Sequence, residues 1–179
     1  MAEVLLKTEE LTKSFGGLVA IQELSMEVEA GEIHAVIGPN GAGKTTLIAQ
    51  LSGSLKPDFG RILFGNRDIT HVPEYRRSAL GLARSFQITS VLKNFSALDN
   101  VALAVQAHAG HSFRFWSKAR KAQELRVPAL EILEKIGLTD RMDIPASSLS
   151  HGEQRQLELA MALATRPKLL LLDEPMAGM

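Results

Sequence analysis

The run Gly38-Pro39-Asn40-Gly41-Ala42-Gly43-Lys44-Thr45-Thr46 constrains this chain more than any other stretch. It fits G-x-x-x-x-G-K-[ST], the loop that wraps a polyphosphate in backbone amides. Its flanks are the ones such a loop needs. Ile33-His34-Ala35-Val36-Ile37 before it reads as an apolar strand, and Leu47-Ile48-Ala49-Gln50-Leu51 after it reads as the opening of a helix. Gly38, Gly41 and Gly43 let the backbone curl so that amides, including those around Asn40 and Thr46, point inward at phosphate oxygens. The helix that follows adds its positive end. Lys44 is placed to reach the β- and γ-phosphates and Thr45 to offer a hydroxyl to Mg²⁺. The expected ligand is a nucleoside triphosphate.

At 179 residues the chain is long enough for one good core, or a core with a small subdomain. Twenty basic residues balance 20 acidic ones, which argues against a nucleic-acid partner held by phosphate neutralisation. There is no cysteine, so disulfides and thiolate metal sites are excluded. Met1-Ala2-Glu3-Val4 lacks a basic segment followed by a long apolar one, so a signal peptide is not expected, and no run approaches the ~18 apolar residues of a membrane span. Action at a membrane would have to go through a partner.

Residues 3–37 read as strands, with Leu24, Met26 and Val28 alternating with acidic and polar residues. Asp58-Phe59-Gly60 reads as a turn before a short strand over 61–64, Pro73 as the start of a short helix to Leu80, and 82–86 as a buried strand. From Ser96 to about Ile136 the text is helical. Pro128 is expected to break or kink it, and Gly137 to cap its end. The expected fold is α/β: a P-loop core of the RecA-like kind with an N-terminal antiparallel β segment and an inserted helical subdomain. The expected division is a nucleotide-binding core over 1–89 and 151–179 and a helical subdomain over 90–150.

Two further motifs carry chemistry. Lys168-Leu169-Leu170-Leu171-Leu172-Asp173-Glu174-Pro175 is an apolar run ending in two acids, as in a parallel strand covered on both faces whose carboxyl end meets the ligand. Asp173 is suited to Mg²⁺, and Glu174 to orienting and polarising an attacking water. By itself the stretch could equally be a strand and a solvated acidic turn; the P-loop in the same chain favours the metal-and-base reading. Leu149-Ser150-His151-Gly152-Glu153-Gln154 holds a capping box, Ser150 with Glu153 three residues on. Taken alone it reads as a well-capped core helix. A helix start with Ser150 and Gly152 is also an anion site, and a second such site is explained if it serves the nucleotide of another copy.

With these three motifs in this order and spacing, the chain resembles the ATP-binding subunits of ABC transporters over essentially its whole length. GPNGAGKTT looks like that family's Walker A, LSHGEQ like its signature and LLLLDEP like its Walker B. The signature departs from the common LSGGQ: His151 stands for the first Gly and Glu153 for the Gln, while Ser150 and Gly152 are kept. The resemblance implies that Ser150 and Gly152 cover the γ-phosphate of a partner's ATP in a head-to-tail dimer, of two copies or of this chain with a paralogue. It implies that Gln87 contacts Mg²⁺ beside Thr45 and Asp173, and relays to an integral membrane permease. It also implies that Phe15 stacks on adenine, a position that otherwise reads as a core Phe at a strand end. The implied catalytic residues are Glu174, Lys44 and Gln87, the cofactors ATP and Mg²⁺, and the location the cytoplasmic face of the membrane. HGEQRQLELA, DEPMAGM and ARSFQ look most like the branched-chain amino-acid importers. The alternatives are an importer of urea or amides, a soluble ABC ATPase, and a form that binds ATP without hydrolysing it. Members of the family continue beyond the position of Met179 to a switch histidine, for which no residue here is assigned. This 179-residue form is expected to bind MgATP weakly and turn it over poorly.

Overall fold

The computed structural model describes residues 3–84, 91–108 and 123–173. They fall into two compact units, Met1–Leu82 and Ala83–Met179.

In the first unit, β1 (Val4–Phe15) and β2 (Leu18–Glu29) form a long antiparallel hairpin, and β3 (Phe59–Phe64) and β4 (Arg67–Asp68) extend the sheet in the order β2-β1-β3-β4. The alternation read in the sequence is realised: Val28 is buried and Leu24 and Met26 half-buried, while Glu23, Ser25, Glu27 and Glu29 face water. Leu6, Leu11, Ile21, Ile62 and Phe64 are buried with Val28. The Asp58-Phe59-Gly60 turn is absorbed into β3. Gly60 has φ 87°, and a Cβ there would lie 2.5 Å from the Glu9 and Glu10 carbonyl oxygens, so this strand crossing needs glycine.

Ile33–Ile37 is a correction. Among the described residues 32–39 forms no strand, and Ile33 and Ile37 are 97% and 91% exposed. A hairpin strand finds its partner a turn away, whereas a strand of a parallel sheet depends on neighbours from distant parts of the chain. Its apolar sequence alone does not build a ladder. His34 instead pairs with Glu32, Nδ1 to Oε1 at 2.8 Å.

The P-loop helix α1 (Lys44–Ser52) ends at Gly53, φ 90°, and α2 (Glu74–Ala79) starts after Pro73 as expected. Between them lies Arg77, 1% exposed. Its Nη1 donates to the carbonyls of Gln50 and Leu51, both at 2.8 Å, Nη2 to Thr70 at 3.0 Å and Nε to Val72 at 2.8 Å. A buried cation thus closes the carbonyl end of the P-loop helix, where the helix dipole favours positive charge.

Among the described residues the second unit holds the helices α3 (Ala97–His108), α4 (Gln123–Lys135) and α5 (His151–Ala164). Leu98, Val101, Ala129, Leu133, Leu138, Leu157 and Ala160 form its apolar core. Ser96 starts α3 by accepting the Asp99 amide at 3.1 Å. Pro128 does not break α4, which runs through it. Loss of one amide and the ring clash cost about 3 kcal/mol. Burial of Ala129 and Leu133 on the same helix outweighs that cost. Gly137, φ 73°, ends α4 as expected: its N–H meets the Glu134 carbonyl at 3.1 Å and that of Leu138 meets Leu133 at 2.9 Å, the paired bonds of a Schellman cap. β5 (Leu82–Arg84) and β6 (Leu169–Leu171) form a two-stranded sheet. The remainder of the 82–86 strand expectation lies outside the described residues.

Candidate functional site

The loop 38–43 is exposed except at Gly43, and leads directly into α1. Gly41 and Gly43 hold φ 83° and 84°. A Cβ on Gly43 would stand 2.4 Å from the Ala20 carbonyl oxygen, so neither the angle nor the approach to β2 admits a side chain. Gly43→Ala is therefore expected to destabilise the protein by about 1–3 kcal/mol, read as a shift in denaturation midpoint. An unshifted midpoint would mean that the loop is not held against β2.

Gly43 is the N-cap of α1 and offers it no side-chain acceptor, and the first turn carries no acidic residue. The amides at the helix start are left for an outside anion. Lys44 Nζ donates to the carbonyls of Gly38 at 2.7 Å and Pro39 at 2.8 Å, which lays the ammonium across the loop. Thr45 is exposed in the first turn, and Thr46 half-buried beside it. Amides, an ammonium and a hydroxyl on one loop are a donor set for a polyphosphate. Phe15 ends β1 opposite Leu18 and is 49% exposed, so its ring is open to a planar partner.

In the second unit, Asp173 follows β6 with only 4% of its side chain exposed, and Arg84 at the end of β5 faces it, Nη2 to Oδ2 at 3.4 Å. Among the described residues no group of three or more His, Cys, Asp or Glu could hold a metal by itself. Mg²⁺ bound with a nucleotide needs no such cage, since phosphate oxygens and waters fill most of its shell. Gln87 and Glu174 lie outside the described residues.

Ser150 caps α5 through the full capping box. Its Oγ accepts the Glu153 amide at 3.3 Å, and its own amide donates to Glu153 Oε2 at 2.7 Å. The other carboxylate oxygen takes Arg141 Nε at 3.1 Å. The Ser150 amide, then its hydroxyl, hold the Glu153 carboxyl below the usual range, and Arg141 adds to this. A carboxyl lowered in the folded state stabilises above its unfolded value, about pH 4.3, and loses that contribution as pH falls through its folded value. The melting temperature should thus fall more steeply below about pH 4 in the wild type than in Glu153→Gln. Parallel curves would show that the cap does not titrate.

The P-loop set and Phe15 belong to the first unit, and Ser150, Gly152 and Asp173 to the second. The partners of Arg77, Arg84, Asp58 and Arg141 have no mark in the sequence. An arginine in a short polar helix carries no mark that its head is buried, and ion pairs across elements have no spacing signature.

A P-loop sequence leading into a helix without a side-chain cap, an antiparallel sheet and a helical core match a nucleotide-binding cassette of the P-loop class. A family model described as ABC transporter matches residues 21–177. This chain belongs to the ABC transporter family. It is similar to a probable branched-chain amino acid transport ATP-binding protein LivG of Archaeoglobus fulgidus, 39% identical over 97% of this chain and 68% of that one. It is also similar to the high-affinity branched-chain amino acid transport ATP-binding protein BraF of Pseudomonas aeruginosa, 35% identical over 100% of this chain and 72% of that one. A solved ATP-binding cassette of an ABC transporter superposes with a TM-score of 0.84 at 35% identity, covering 98% of this chain and 71% of that one. The ADP conformation of such a cassette gives 0.83 at 35% identity, over 98% and 70%. The chain is accordingly an ATPase cassette whose cofactors are ATP and Mg²⁺. Among the described residues no helix is long and apolar enough to cross a membrane.

Proposed function

We propose that this protein powers a membrane importer of branched-chain amino acids. The observation that carries the reading is the capless start of α1 under Lys44, in a chain whose relatives are named for branched-chain amino acid transport. Gly38, Asn40, Gly41, Gly43, Lys44, Thr45 and Thr46 cradle the triphosphate, and Phe15 carries the base. Thr45, Gln87 and Asp173 hold Mg²⁺, which neutralises charge on the phosphates. Glu174 orients the attacking water. Ser150 and Gly152 of a second copy, or of a paralogue, close the site from across a head-to-tail dimer. That closed arrangement is favoured only while the γ-phosphate is present, so its loss lets the dimer reopen and drives the permease subunits. The subunit is peripheral, on the cytoplasmic face of the membrane. The core over 1–89 and 151–179 carries the nucleotide, 90–150 forms the helical subdomain, and about 88–100 faces the permease.

Uptake by membrane vesicles holding the full-length protein with its permease partners tests this. ATP-dependent accumulation of labelled leucine is the expected result. Accumulation of urea or acetamide in its place, or leucine uptake indifferent to ATP, would overturn the assignment.

A further inference from the structure

The end of β1 is irregular. Its pairing with β2 slips between Leu11 and Lys13 and again between Lys13 and Ser14, so the ladder by itself does not fix the last residues before the Gly16-Gly17 turn. Asp58, from the segment before β3, grips this end at three points. Its amide donates to the Thr12 carbonyl at 3.0 Å. Its Oδ2 accepts the Ser14 amide at 2.7 Å, and its Oδ1 accepts Lys13 Nζ at 2.7 Å. The Lys13 side chain is drawn in to 14% exposure, and its ammonium stands over the Phe15 ring, 5.5 Å from the centroid.

We infer that Asp58 and Lys13 position Phe15 for the nucleobase, Asp58 by clamping the strand end and Lys13 by occupying one face of the ring. This rests on the reading of Phe15 as the base-stacking residue. A cation seated on one face pins the ring and leaves the other face to a planar heterocycle. The Lys13 ammonium, then the Ser14 amide, keep the Asp58 carboxyl below its usual range, so the clamp is charged at neutral pH. Asp58 and Lys13 touch neither phosphate nor metal in this scheme, so their effect falls on base recognition alone.

Two probes separate the base from the phosphates: MgATP and magnesium tripolyphosphate, each titrated against the full-length protein by calorimetry. Asp58→Ala and Lys13→Met are each expected to weaken ATP about two- to fivefold and leave tripolyphosphate unchanged. Phe15→Ala should weaken ATP likewise, and Asp58→Ala added to it should cost nothing more. Equal weakening of both probes would mean that the clamp only supports the fold, and unchanged ATP affinity would mean that it does not act; either overturns the inference. Phe15→Ala without effect on ATP would instead remove the base-stacking reading, and the inference with it. Lys13→Met keeps both backbone bonds of Asp58 and carries the test if Asp58→Ala does not fold.

Discussion

Replacing Lys44 by alanine is expected to lower MgATP affinity about ten- to hundredfold and turnover about a further hundred- to thousandfold. The ammonium already lies across the loop, 2.7 and 2.8 Å from the Gly38 and Pro39 carbonyls. It therefore needs little reorganisation to meet incoming phosphate oxygens. A hydrogen bond to an ionised group contributes about 1.5–3 kcal/mol, which sets the binding loss. The larger loss in rate reflects charge that develops on the transferring phosphoryl group. Because Lys44 is exposed at one side and caps nothing, the variant should melt within a degree or two of the wild type, as surface substitutions do. Phosphate release paired with calorimetry checks both parts. Wild-type affinity in Lys44→Ala would remove the phosphate-cradle assignment itself.

Arg77→Ala should destabilise the protein by about 3–5 kcal/mol, the largest stability effect expected here. Four carbonyls, of Gln50, Leu51, Thr70 and Val72, lose their donor at once. The site is buried, so water cannot replace the guanidinium without opening the packing between α1 and α2. Burial pulls the Arg77 pKa below its ordinary value, and the carboxylates of Asp68 and Glu74 oppose this, yet a guanidinium remains charged at any working pH. Gly53 is fitted to the same group: a Cβ there would be 2.7 Å from Arg77 Nε. Arg77→Lys should recover only part of the loss, since one ammonium cannot fan out to four acceptors. Urea denaturation of the three proteins decides it. A loss under about 1 kcal/mol for Arg77→Ala would show that the carbonyls are satisfied by other means.

What could be read in the sequence was local. Gly38 to Thr46, the Ser150–Glu153 capping box, the Gly137 helix end and the alternation of 24–28 each lie within one or two turns of chain, where residue type and spacing fix geometry. The failures were cases where distant contacts decide. Ile33–Ile37 has strand chemistry, but a strand exists only with a partner. Pro128 opposes a helix locally and is overruled by the apolar core around Leu133. The Asp58–Lys13 and Arg84–Asp173 pairs join residues 45 and 89 positions apart, beyond any spacing rule. Arg77 reads as one of two adjacent surface arginines, and only the position of α1 makes it a buried one.

The two helix starts differ in a way that reaches beyond binding. α5 carries its own acceptor in Ser150, whereas α1 begins at a glycine with none. Nucleotide supplies what the chain omits, so the resistance of this region to heat becomes a titratable quantity. It should climb with the logarithm of ligand concentration, by about 2.7 kcal/mol at a hundredfold excess over Kd. In a cell the folded lifetime of such a protein would track its energy charge.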